Sequence, residues 1–352
     1  MASLRVPYKT VDDIDIPTDI YLPAPSSTRT RPAPVLIMIH GGAFMLGHAA
    51  MNNPDQIRDC TARGWIVLAI EHRLCPGVTL LDGPMADVRD ALTWAQSGGL
   101  AAALRQHGSG VEADSTRVMV MGTSSGGHLA LTTAWNAPTP PLAILDFYGA
   151  KCFADYHWTT PLTAMPASFH DPVDPAITAA VRAEKTIFIG GASLEGHSKP
   201  AAGSPTPSSS PPPNPPPPAN AAAPPPGPPM PPNPSPRHIY TMHALATATH
   251  LPLLHPPFPS SLNLIDPLLN IHAGWPPTAI VHGTADAMIP LRLSQEFATA
   301  LRAKGGRVEV FEVEGAGHTF CGGMQRGGEV WESQARGWEW LAERLGESYV
   351  EG

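Results

Sequence analysis

Four short motifs hold residues whose types and spacing could support nucleophilic chemistry. The first is Gly122-Thr123-Ser124-Ser125-Gly126-Gly127, set between the apolar run 118–121 and the helical stretch 128–131. A tight strand-to-helix turn of this kind holds a serine in a strained backbone position, and small neighbours relieve the crowding. The following helix start leaves free N–H groups beside the hydroxyl. A bare G-x-S-x-G also arises in Gly/Ser-rich loops. Its weight comes from the strand before it and the helix after it.

The second motif, His40-Gly41-Gly42-Ala43-Phe44, follows the β-branched run 35–39. A hydroxyl attacking a carbonyl creates an oxyanion, and preorganised backbone amides stabilise it. The amides of Gly42 and Ala43 are expected to supply two donors, and that of Ser125 a third. Alone, this is an ordinary Gly-Gly turn. The third motif is His282-Gly283-Thr284-Ala285-Asp286, where Asp286 is the first acid past an apolar run. The fourth is Gly315-Ala316-Gly317-His318-Thr319-Phe320, where flanking glycines should leave His318 on an exposed, mobile turn. Singly, Asp286 reads as a surface turn and His318 as one of 15 histidines. Together the three appear in the order Ser124, Asp286, His318, each past a strand. That is the order in which a nucleophile, an acid and a base occur in α/β-hydrolases.

The elements that must position these residues are legible as short apolar runs bounded by turn residues. They are 35–39, 66–70, 118–121, 142–145, 278–281 and 308–313. Near-continuous apolar strands suit a sheet covered on both faces. Helical periodicity fills the gaps over 85–96, 291–304 and 329–345, with shorter helices expected at 176–182 and 239–249. Residues 9–23 alternate apolar and polar, as an antiparallel pair at a sheet edge would. The alternation of strands and helices predicts an α/β fold with a mostly parallel central sheet flanked by helices.

One region breaks the series. Residues 199–236 are low complexity and half proline, and Pro lacks the donor that a helix or sheet needs. This tract is expected to be disordered or polyproline II. It could serve a polyproline-binding partner; the plainer reading is a tolerated loop expansion. The expected organisation is a core over 1–150, an inserted cap or lid over 151–261 containing that tract, and a second core part over 262–352. Phe44, Met45, Phe147, Tyr148 and Trp158 are candidates to line the pocket.

With these motifs placed, the chain resembles the hormone-sensitive-lipase-like esterase/lipase branch of the α/β-hydrolases (α/β hydrolase fold-3). His40-Gly41-Gly42-Ala43-Phe44 is similar to its H-G-G-G element, and Gly122-Thr123-Ser124-Ser125-Gly126-Gly127 to its G-D-S-A-G-G. Glu71-His72-Arg73-Leu74-Cys75-Pro76 is similar to its D-Y-R-L-A-P, and Pro84–Asp87 through Trp94 to the helix that follows. The resemblance covers roughly 10–150 and 262–345. Three departures stand out: Ala43 for the third Gly, Thr123 for the acid before the nucleophile, and Glu71-His72 for Asp-Tyr. Ala43 keeps its N–H, so the oxyanion site is preserved. The resemblance implies ester hydrolysis through an acyl-enzyme, needing no metal or cofactor.

Composition narrows the alternatives. A net charge of −8, with no basic stripe, argues against a nucleic-acid partner. Cys60, Cys75, Cys152 and Cys321 show no metal or redox spacing and are expected to be free thiols in a reducing compartment. No apolar stretch is long enough to span a bilayer, and the first residues do not resemble a secretory signal, so a cytoplasmic location is expected. A small-molecule ester is the expected substrate. The rivals are an amide or formamide hydrolase, a biosynthetic hydrolase or cyclase acting on a polyketide- or peptide-derived intermediate, and a non-catalytic binding protein.

Overall fold

The computed structural model describes residues 3–24, 31–185, 187–190, 234–323 and 326–346. The apolar runs form the middle of one eight-stranded sheet. Its strands are β1 (Ser3–Val11), β2 (Ile14–Tyr21), β3 (Ala33–Ile39), β4 (Ile66–Ile70), β5 (Ala113–Thr123), β6 (Ile144–Phe147), β7 (Thr278–Gly283) and β8 (Val308–Val313). They lie in the order β1-β2-β4-β3-β5-β6-β7-β8. β1 and β2 pair antiparallel at one edge, and β2 meets β4 antiparallel. All other pairings are parallel.

Every residue of β3, β4, β6 and β7 is buried, which explains why they read as unbroken apolar runs. Alternate side chains serve two cores. Ile37, Ile39, Leu68 and Val120 face one layer with α2 (Ala86–Gln96), α3 (Gly99–Gln106), α4 (Ser125–Thr132) and α8 (Leu291–Ala303). Leu36, Met38, Met121 and Val281 face the other with α1 (Pro54–Ala62) and α9 (Glu329–Arg344). Helix α8 contributes Leu293, Phe297 and Leu301 at four-residue spacing, all fully buried. On α9, Trp331 and Trp338 stack 5.5 Å apart.

The strand series breaks between β6 and β7, as expected. The described part of that segment holds α5 (Pro175–Ala183), α6 (Pro236–Ala246) and α7 (His250–Leu254). Met165, Phe169, Met242 and Ala246 form a small core of their own there. The Pro-rich tract lies outside the described residues except for positions 234–236. Those last positions begin α6, three residues earlier than its apolar pattern suggested. Ser235 caps the helix by accepting from the His238 amide, and Pro236 takes the first helical position, where a missing N–H costs nothing. Among the described residues no disulfide joins the four cysteines, and all four are buried. Among the described residues no helix is long and apolar enough to cross a membrane.

Candidate active site

Ser124 sits between the end of β5 and the first turn of α4, with φ 53° and ψ −121°. A non-glycine residue rarely takes such angles, so the surroundings must over-determine them. The Ser124 amide donates to the Phe147 carbonyl at 2.9 Å, which ties the turn to β6. The flanking glycines are there for space. A Cβ on Gly122 would lie 2.1 Å from the Gly126 oxygen, and one on Gly126 would lie 2.3 Å from the Ile39 oxygen.

The structure brings Ser124, His318 and Asp286 into one hydrogen-bonded line. Ser124 Oγ lies 2.9 Å from His318 Nε2. His318 Nδ1 lies 2.7 Å from Asp286 Oδ2. The other carboxylate oxygen, Oδ1, accepts the amides of Met288 and Ile289, each at 2.9 Å. Asp286 is buried rather than on a surface turn. Burial alone would raise its carboxyl, but the facing His318, with His282 beyond it, holds it well below the usual carboxylate range. His282 Nε2 lies 3.3 Å from Asp286 Oδ2.

His318 departs from the expected exposed turn, since only 7 % of its side chain is accessible. The Tyr148 ring meets the imidazole edge-on at 4.9 Å, and Phe320 packs on Tyr148 at 4.8 Å. These rings cover the turn that the glycines leave open. Of the five candidate pocket residues, Phe44 and Trp158 line the cleft. Met45 is buried in the core, and Phe147 points to the opposite sheet face, against Trp338 at 5.7 Å. Tyr148 backs His318 instead.

The loop after β3 turns back through three successive positive φ values, Gly42 (120°), Ala43 (55°) and Phe44 (61°). The Gly42 carbonyl closes this turn by accepting the amides of Met45 and Leu46. Among the described residues no hydrogen bond takes up the amides of Gly42, Ala43 or Ser125. All three residues line the same cleft as Ser124 and His318. The remaining wall is mostly apolar, with Phe44, Ala150, Trp158, Leu162, Leu245, Leu251, Met288 and Ile289. Among the described residues no lysine, arginine or carboxylate lines it. Leu162, Leu245, Ala248, His250 and Leu251 come from the segment between β6 and β7.

Two buried histidines escaped the sequence reading. His250 Nε2 donates to the Ala43 carbonyl at 2.8 Å, and burial lowers its pKa to about 4. His128 Nδ1 donates to the Ala150 carbonyl at 2.9 Å, and burial lowers its pKa to about 3. Both meet the Phe44 ring. The Glu71-His72 departure also acquires a place. Glu71 binds Arg5 and the Ala49 amide, and the His72 ring stacks on His40 at 4.4 Å.

This sheet order, with a serine elbow after β5 and an Asp and a His in the loops after β7 and β8, is that of an α/β-hydrolase. A family model described as BD-FAE matches residues 18–153. Esterase 2 of Thermogutta terrifontis with propionate bound superposes with TM-score 0.56 at 20 % identity, covering 99 % of this chain and 97 % of that one. The same esterase phosphorylated by paraoxon gives 0.57 at 19 %, covering 99 % and 96 %. The chain has the α/β-hydrolase fold, and its motifs resemble those of the hormone-sensitive-lipase-like branch. Among curated proteins it is similar to the non-reducing polyketide synthase pkbA of Emericella nidulans, 30 % identical over 97 % of this chain. It is also similar to non-reducing polyketide synthase Preu6 of Preussia isomera, 30 % identical over 94 %. The chain spans 14 % of the length of each of these two relatives.

Proposed function

We propose that this chain is a serine hydrolase that cleaves carboxylic ester bonds through Ser124, His318 and Asp286. The observation that carries the reading is the unbroken hydrogen-bond line from Ser124 Oγ to Asp286 Oδ2, opening on an apolar cleft. His318 Nε2 takes the Ser124 proton as Oγ attacks the ester carbonyl, while Asp286 holds the Nδ1–H tautomer and stabilises the imidazolium. The oxyanion is received by the amides of Gly42, Ala43 and Ser125, which no hydrogen bond takes up among the described residues. His318 then protonates the leaving alcohol, and water repeats the sequence on the acyl-enzyme. The uncharged wall fits a neutral, small to medium acyl group. The described part of the segment 151–261 acts as a cap, since its side chains close one side of the cleft.

The test is fluorophosphonate labelling of the wild type beside Ser124→Ala, followed by short-chain p-nitrophenyl ester turnover. Labelling and turnover should vanish in the folded variant. Near-wild-type turnover by Ser124→Ala would sink the assignment.

A second reading has its own support. The similarity to polyketide synthases runs along nearly the whole chain, which favours a polyketide-derived acyl group as the natural substrate. The bond cleaved would then be an ester or thioester of that acyl group, since the same attack serves both. Turnover of one aromatic acyl group offered as an ethyl ester and as an N-acetylcysteamine thioester would separate the two.

A further inference from the structure

His282, Ser294 and Lys151 are all fully inaccessible and lie on three different elements. Lys151 follows β6, His282 is on β7 and Ser294 is on α8. A buried ammonium is costly unless it is paired and hydrogen-bonded. Lys151 Nζ donates to the Gly149 carbonyl at 2.5 Å and to Ser294 Oγ at 2.9 Å. It forms a charge pair with Asp146 Oδ2 at 2.8 Å, out of line for a hydrogen bond. Ser294 Oγ lies 2.8 Å from His282 Nδ1. His282 Nε2 lies 2.8 Å from the Ile289 carbonyl and 3.3 Å from Asp286 Oδ2.

The direction of this chain follows from its ends. A carbonyl can only accept, so His282 Nε2 carries the proton, donates it to the Ile289 carbonyl and turns the same N–H edge toward Asp286 Oδ2 at 3.3 Å. An ammonium can only donate, so Ser294 accepts from Lys151 and its own proton goes to His282 Nδ1. Ile289 is also one of the two residues whose amides hold Asp286 Oδ1. Asp286 Oδ1 is therefore anchored from the side away from Ser124, while Oδ2, bonded to His318, also faces the His282 N–H.

We propose that Lys151, Ser294 and His282 form a positioning relay for Asp286, in which the buried ammonium fixes, through Ser294, the His282 tautomer that turns its N–H toward the carboxylate. The relay rests on the reading of Asp286 as the acid of the triad. None of its members touches substrate. By sharing Oδ2 with His318, His282 weakens the carboxylate's hold on the imidazolium and fixes the direction of the remaining lone pair. Removing that donor strengthens the hold, so the acid limb of the rate profile moves up. The other titratable or charged groups near the relay, among the described residues, include Asp146, His128, Cys152, Tyr148 and His157, whose Nε2 binds the Met288 carbonyl.

The test compares wild type, His282→Asn, His282→Gln and Ser294→Ala, each checked for folding by thermal melt. An Asn amide reaches the level of Nδ1 and loses Asp286; a Gln amide reaches the level of Nε2 and keeps a donor there. His282→Asn should lower kcat about 10- to 100-fold with little change in KM, and raise the acid limb of kcat/KM by about half a pH unit. His282→Gln should recover most of both effects. Ser294→Ala, a one-atom deletion, should move both in the same direction by less, and it decides the matter if His282→Asn does not fold. An unmoved acid limb in these variants, or Gln no better than Asn, would make the chain a mere strut between β6, β7 and α8 and overturn the relay. Fluorophosphonate labelling of the wild type distinguishes the two failures. An unlabelled wild type overturns the triad reading, and the relay with it; a labelled wild type beside unaffected variants overturns the relay alone.

Discussion

The His250 ring, carried on α7 in the segment between β6 and β7, donates to the carbonyl of Ala43 at 2.8 Å. Ala43 and Phe44 both hold positive φ, so the peptide between them needs an outside partner to keep its orientation. Arg237 on α6 adds a second tie, donating to the Met45 carbonyl at 2.9 Å. The inserted segment thus grips the loop that would receive the oxyanion. His250→Phe should keep the ring volume and lose the donor. The expected outcome is a kcat lower by about 10- to 100-fold, below the loss from deleting a direct oxyanion donor, with a normal melt at pH 7.5. Steady-state kinetics on a p-nitrophenyl ester check it; an unchanged kcat would remove His250 from the argument.

Asp286 offers a sharper probe. In Asp286→Asn the oxygen that accepts the Met288 and Ile289 amides can stay in place. The amide nitrogen would then face His318 Nδ1 and favour the wrong tautomer, with the proton on Nε2 where Ser124 must deliver its own. Turnover should fall by about three to four orders of magnitude while the fold persists. A loss of less than tenfold in a folded variant would count against Asp286 as the orienting acid.

What the sequence made legible follows from what kind of signal each feature leaves. The strands β3, β4, β7 and β8 were readable within two residues because burial on both faces, or regular pairing at an edge, leaves a continuous run. β6 lies two residues later than its apolar run. Leu142 and Ala143 bond β5 ahead of the ladder, and regular pairing begins at Ile144 opposite Val120. Ser124, Asp286 and His318 were visible because each stands in a Gly-bearing motif past a strand. His250, His128 and Lys151 were not, because nothing local distinguishes them. Their partners Ala43, Ala150 and Ser294 are brought close only by tertiary folding. His282 was in view within the Asp286 motif, but its role depends on Ser294 twelve residues away.

The elbow itself predicts a steric limit. Gly126 lets α4 approach the end of β3, and an added methyl would meet the backbone oxygens of Ile39 and His40 at 2.3 and 2.5 Å. Backbone cannot yield as a flexible side chain can. Gly126→Ala should therefore destabilise the protein by about 2–3 kcal/mol or more and displace Ser124 from His318. Urea unfolding and fluorophosphonate labelling rate together check this. A variant as stable and as reactive as wild type would mean that the helix can shift without cost.

The buried histidines make stability pH-dependent in a definite direction. His250 and His128 have folded-state pKa values of about 4 and about 3, below the ordinary 6.5, chiefly through burial. The unfolded chain therefore binds their protons first. Their contribution is complete above pH 6.5 and is lost as pH falls from there toward the folded values, at on the order of 1 kcal/mol per pH unit for each histidine. Asp286, also depressed, adds a loss in the same direction further into acid. Burial lowers His40, His72, His157 and His238 as well, which adds to the loss, while Glu71 and Asp266, whose carboxyls burial raises, work in the opposite direction; the observed slope is the sum of the histidine losses less theirs. Urea midpoints at pH 7.5, 6.5, 5.5 and 4.5 should fall steadily below 6.5. In His250→Phe the fall should be visibly shallower, because one of these protons is no longer taken up. A flat wild-type stability across that window would show that these rings are not held neutral by the fold.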